Sequence, residues 1–142
     1  QQQMLDVLGS IIDVLTFGIA ALGGISLLVG GVGIFTIMTI AVRERTPEIG
    51  LLRAVGAERR RISQLFLGEA VLLAGLGGLA GLVAGLGIVS LIHITIPAMP
   101  AQVAPVYVVL AEVIAVVIGL IAGVLPAHRA AALEPLDALR TE

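Results

Sequence analysis

Few side chains in this 142-residue sequence could take part in chemistry, and their spacing limits which chemistry is open. Cysteine is absent, which excludes disulfides and thiolate metal ligation. The two histidines, His93 and His128, are far apart in the chain, and neither has an acidic cluster beside it, so no metal site is expected. The sequence contains no G-x-x-x-x-G-K-[ST] stretch, and it has no Lys at all, so no loop here could cradle nucleotide phosphates. No catalytic residue is therefore expected, and no cofactor bound by this chain. Glu112 stands in a long apolar run, where a lipid-facing charge is costly. It could be a proton or substrate contact, a protonated or hydrogen-bonded carboxyl inside a helix bundle, or a side chain snorkelling to the outer surface. The absence of any basic residue within the apolar runs favours the structural carboxyl.

The remaining charges are concentrated in one place. All eight basic residues are Arg: six lie from Arg43 to Arg61, and the others are Arg129 and Arg140. Nucleic-acid binding calls for a basic face with interleaved aromatics. Aromatics are 3% here and Trp is absent, so no nucleic-acid partner is expected.

The elements that carry these residues are apolar. Hydrophobic residues make up 58%, charged residues 13%, and the mean hydropathy is +1.13. That leaves too little polar surface to face water, so lipid is the expected solvent. Apolar runs extend from about Val14 to Val42, Ala70 to Ile96 and Val103 to Leu125. Each exceeds the roughly 20 residues that cross a hydrocarbon core. Backbone groups in lipid must be satisfied within the segment, so the three runs are expected as transmembrane helices of an all-α membrane protein. The first run has an amphipathic lead-in, with Asp6 and Asp13 on one face and Met4, Leu8, Ile11 and Ile12 on another, so its helix should begin in water. The chain opens Gln1-Gln2-Gln3 with no basic n-region, so no signal peptide is seen and earlier residues are expected in the native polypeptide.

Arginine placement predicts orientation. The loop after the first run is Arg-rich, the tail after the third carries two Arg, and the turn from about Pro97 to Ala104 carries none. The positive-inside bias puts the loop and the C-terminus in the cytoplasm and the N-terminus outside. Small residues predict packing. Gly77, Gly81 and Gly85 repeat every four residues, as do Ala115, Gly119 and Gly123, and such stripes let helix backbones approach closely.

The loop itself reads as a short helix. Thr46 is a suitable N-cap, Pro47 fits the first helical position, Glu48 favours the N-terminal dipole, and Gly56 suits a left-handed C-terminal residue. Ile49, Leu52 and Val55 form an apolar strip, with Glu48 and Arg53 polar. A helix this short must lean on something. On physics alone, an interfacial helix resting on lipid and a coupling helix docked into a cytosolic protein are equally open. A second helix from about Glu58 should lead into the next span.

The run Arg43-Glu44-Arg45-Thr46-Pro47-Glu48-Ile49-Gly50-Leu51-Leu52-Arg53-Ala54-Val55-Gly56-Ala57 resembles the loop motif of MacB-like and FtsX-like ABC-transporter permeases. The stretch Gly24 to Ile34 resembles the segment that precedes it in the macrolide-exporter branch. Leu125-Pro126-Ala127-His128-Arg129-Ala130-Ala131 and Glu134-Pro135-Leu136-Asp137-Ala138-Leu139-Arg140 resemble the family's C-terminal ending. His128 stands where Arg is common, and Pro47 where a polar residue is usual.

The resemblance implies an FtsX-like C-terminal membrane domain over residues 1–142, placed in a bacterial inner membrane. It has three spans, the first extended outward as a stalk, a cytoplasmic coupling loop at about 43–64, and a cytoplasmic tail at 126–142. A first span and an extracytoplasmic domain are expected in the missing part. Thr46 to Ala57 would contact an ABC nucleotide-binding domain, fused or separate, which holds ATP and Mg. A second permease copy and the lipid bilayer are the other expected partners, with a periplasmic adaptor and an outer-membrane channel in the exporter branch. The implied function couples ATP hydrolysis to extracytoplasmic work, as in export of macrolides, peptides or toxins. Regulation of cell-wall hydrolases and lipoprotein release are the alternatives. Apolar spans without a polar stripe argue against a self-assembled pore.

Overall fold

A computed structural model describes residues 2–96 and 103–133. The described residues form four helices: α1 (Gln2–Glu44), α2 (Thr46–Ala54), α3 (Arg59–Thr95) and α4 (Pro105–Ala132). Among the described residues α1, α3 and α4 are long and apolar enough to cross a membrane, and α2 is a nine-residue helix. The expected turn near Pro97 and the Glu134–Arg140 motif lie outside the described residues.

Residues 1–30 and 31–142 form two compact units. The first is the leading part of α1, and its described side chains are exposed throughout, from Met4 and Leu8 to Phe17 and Leu28. Ser10 and Ser26 donate to the carbonyls of Asp6 and Leu22 one turn earlier, so these two hydroxyls are satisfied within the helix. From Val14 on, a helix without charges that exposes its apolar side chains suits hydrocarbon rather than water.

The second unit holds the core. α3 and α4 pack against each other, and the end of α1 and the inner face of α2 complete a cluster at one end of that pair. Its members include Met38 and Val42 from α1, Ile49 from α2, Ile62, Phe66 and Ala70 from α3, and Ala127, Ala130 and Ala131 from α4. The α3–α4 seam is built on small residues. Gly119 and Gly123 of α4 are buried against Ala74 and Ala70 of α3, and a Cβ added at either glycine would collide with the alanine methyl opposite. Gly31 of α1 similarly admits the side chain of Ile118, which would stand 3.0 Å from a Cβ at that position.

α4 runs past the apolar stretch. The sequence places a cytoplasmic tail from residue 126, but the helix continues through Pro126 to Ala132. Proline lacks the N–H that would bond one turn back and so removes one link of the helix. Here its ring is fully buried in the core beside Ala127, and that packing offsets the lost bond.

Candidate functional site

The loop motif forms a compact corner whose joints have different constructions. α1 ends at Glu44 and α2 begins at Thr46, with only Arg45 between them. Backbone bonds bridge the joint: the Arg45 N–H donates to the Ala41 carbonyl, and the Ile49 N–H donates to the Arg45 carbonyl, both at 3.0 Å. The sequence-based cap assignment needs correction here. Thr46 is not the N-cap but the first helical residue, because its hydroxyl donates back to the Val42 carbonyl at 3.0 Å. Arg45 occupies the cap position and makes no side-chain cap bond. Pro47 accordingly moves from the expected first helical position to the second, still in the first turn where a missing N–H costs nothing, and Glu48 stands exposed beside it.

The other end of α2 closes on a Schellman turn. Gly56 has φ +97°, a conformation that favours glycine. The Ala57 N–H donates to the Leu52 carbonyl at 2.9 Å, and the Gly56 N–H donates to the Arg53 carbonyl at 3.1 Å. Arg53 reinforces the turn, since its Nη1 donates to the Ala57 carbonyl at 3.1 Å. Its Nε is buried without a hydrogen-bond partner among the described residues. Arg53 is therefore half-buried and committed to its own chain, not presented outward with Glu48.

The apolar strip of α2 divides in two. Ile49 is 2% exposed and sits in the core with Met38, Phe66 and Ala127, and Gly50 is buried next to it. Leu51, Leu52 and Val55 are 61%, 50% and 81% exposed. The helix is thus anchored through one face and leaves an apolar face uncovered. Arg45 also pairs with Glu69 of α3 at 3.3 Å, a contact that sequence reading did not anticipate.

The other residues singled out in the sequence separate similarly. Gly119 and Gly123 lie in the α3–α4 seam. Gly77, Gly81 and Gly85 are exposed and, among the described residues, have no atom within 4 Å of an added Cβ. The α3 partners of Gly119 and Gly123 in the seam are instead Ala74 and Ala70, which have the same four-residue spacing. Glu112 sits between the helices, not toward the outer surface. Its carboxyl lies over Gly75 and Gly78, and a Cβ at Gly78 would stand 2.5 Å from Oε2. That oxygen is buried with no hydrogen-bond partner among the described residues, so the hydrogen-bonded form of the structural reading does not hold there. No group of three or more His, Asp or Glu converges among the described residues. His93 is near the end of α3 and His128 near the end of α4, both exposed.

The FtsX-like permease C-terminal family model matches residues 20–135, from within α1 past the end of α4. The chain belongs to this family. Among curated relatives, the macrolide export ATP-binding/permease protein MacB of Wolinella succinogenes is 44% identical over 135 residues, covering 92% of this chain and 20% of that protein. The uncharacterized ABC transporter permease YknZ of Bacillus subtilis is 41% identical over 135 residues, covering 95% of this chain and 34% of its own length. A second Bacillus subtilis permease, the uncharacterized YvrN, is 46% identical over 124 residues, 87% of this chain and 30% of its own. The chain therefore spans about a fifth to a third of these relatives. As an FtsX-like permease domain it is a membrane protein of the ABC-transporter permease kind, and the α1–α2–α3 corner is the candidate site within it.

Proposed function

We propose that this chain is the part of an ABC-transporter permease that receives force from a nucleotide-binding partner and delivers it across the membrane, with MacB-like export of macrolides, peptides or toxins as the activity it serves. The observation that carries this reading is the divided face of α2. Ile49 and Gly50 anchor the helix, while Leu51, Leu52 and Val55 stay uncovered beside an exposed Glu48. An anchored helix with a free apolar face suits insertion into a protein groove. The relatives' names support the assignment, since one joins ATP-binding and permease functions in a single protein. ATP and Mg belong to the partner in this reading. The Arg-rich corner faces the cytoplasm of a bacterial inner membrane, and the N-terminus faces outward. The exposed lead of α1 is the stalk toward an extracytoplasmic domain. The open stripe of Gly77, Gly81 and Gly85 offers a second permease copy a close approach.

The test is Leu52→Asp, with Glu48→Arg beside it. Both positions are exposed, so the fold should survive. Both variants should lose co-purifying ATPase and transport-coupled ATP turnover in vesicles. Retention of both at the wild-type level would favour a helix that merely rests on lipid.

A further inference from the structure

Behind the α2 corner, on another face of the same helices, the first turns of α3 and the last turn of α4 enclose an open cleft of about 480 Å3. That size is within the range of small-ligand sites, roughly 300–1,000 Å3. Arg59, Arg60, Ser63 and Gln64 line it from α3, and His128 lines it from α4 above a floor of small alanines. It shares only Ala131 with the core under α2, so it is a separate surface. We propose that this cleft binds the phosphate of an anionic phospholipid headgroup in the leaflet at the Arg-rich end of the bundle. The proposal is independent of what docks on α2.

Three observations converge on that ligand. The first is charge. Among the described residues no acidic side chain lines the cleft, and no ion pair engages Arg59 or Arg60. The second is the donor set. Guanidinium groups, a hydroxyl, an amide and an imidazole N–H can all donate to phosphate oxygens, and Arg matches phosphate bidentately. In the first turn of α3 the Arg61 and Ile62 N–H groups donate to the Glu58 carbonyl, and the Glu58 side chain makes no cap bond, which leaves the backbone N–H groups of Arg59 and Arg60 for a ligand. The third is depth. His128 and Ala132 stand three and seven residues beyond Leu125, where the apolar run of α4 ends. At about 1.5 Å per residue that is about 4.5 and 10.5 Å, while Gln64 to Arg59 stand six to eleven residues before Ala70, about 9–16 Å out. With a headgroup layer about 5–8 Å thick on each side, the cleft opens at that layer on its His128 side and extends beyond it. A soluble phosphate would need no such depth, and a zwitterionic lipid would bring a cation to the two guanidinium groups.

The native polypeptide, with its nucleotide-binding partner, is stripped of lipid in detergent and titrated with phosphatidylglycerol or phosphatidylcholine, and retained lipid is counted by native mass spectrometry. Wild type should retain phosphatidylglycerol in preference. R59Q/R60Q should bind it about thirtyfold more weakly, since each Arg near an anionic surface contributes about 1 kcal/mol and about 1.4 kcal/mol is tenfold. Ser63→Trp, which fills the cleft without changing charge, should also lose the preference. Equal retention of the two lipids by wild type would overturn the proposal. So would an equal loss in R43Q/R129Q, whose side chains lie outside the cleft, because that would mean diffuse attraction. Full competition by millimolar inorganic phosphate would make it a solute site. Release of the nucleotide-binding partner by R59Q/R60Q with lipid binding unchanged would make it a protein contact.

Discussion

Adding a methyl group at Gly119 and at Gly81 should have opposite consequences, although both glycines belong to four-residue stripes in apolar helices. A Cβ at Gly119 would overlap the Ala74 methyl, and the Ala70 carbonyl oxygen would be 3.4 Å away. A Cβ at Gly81 would meet nothing among the described residues within 4 Å. Gly→Ala raises helix propensity by about 1 kcal/mol at either site. That gain cancels when the two variants are compared. What remains is overpacking at Gly119, typically about 1–3 kcal/mol. Hydrogen exchange followed by mass spectrometry reads the α3 and α4 amides selectively within the native polypeptide. Amides around Ala74 and Gly119 should exchange about 5- to 150-fold faster in Gly119→Ala than in Gly81→Ala. Equal protection in the two variants would refute the alanine–glycine seam.

Three further outcomes are expected. Ile49→Ala should destabilise the corner by about 2–5 kcal/mol, as for a buried Ile, whereas Leu52→Ala should change stability by less than about 0.5 kcal/mol; denaturant titration of the native polypeptide compares them. Glu112→Gln should leave transport intact, because the buried Oε2 has no partner to lose among the described residues; a large loss of transport at normal expression would make Glu112 a functional group. Cysteine placed at Ala57 should be protected from an impermeant thiol reagent in intact cells, and one placed at Gln2 should be labelled; the reverse pattern would invert the orientation.

Hydropathy was enough to locate all three long helices, because lipid as solvent leaves a sequence little choice of backbone structure. Helix ends were harder to read. Apolar runs mark where hydrocarbon begins, not where hydrogen bonding stops, so α4 continues beyond Leu125, whereas the start of α3 at Arg59 agrees with the helix expected from about Glu58. Gly56 was legible because a positive φ leaves few alternatives. Thr46 was misread as a cap because a hydroxyl can serve an N-terminus or bond back to a carbonyl, and the nearly unbroken join with α1 decides between them. Weighting glycine over alanine hid the seam partners, although Ala70 and Ala74 carry the same spacing. The side-chain role of Arg53 and its separation from Glu48 could not be read from a strip pattern, since both depend on how the chain returns through Ala57.

The two joints of α2 differ in a way that bears on how its sequence can drift. At Arg45 the backbone bonds pass from α1 into α2 almost without a break, so the azimuth of Ile49 is locked to that of Met38 and Val42. One residue inserted before Thr46 would turn α2 by about 100° and swing Ile49 out of the core. At Gly56–Glu58 the connection is a turn, where an added residue can loop out and leave both flanking helices in phase. Length variation among related chains should therefore accumulate after Val55 and be absent between Glu44 and Ile49. The corner is a ratchet with one indexed side and one free side, and only the indexed side holds the angular position of the exposed leucines.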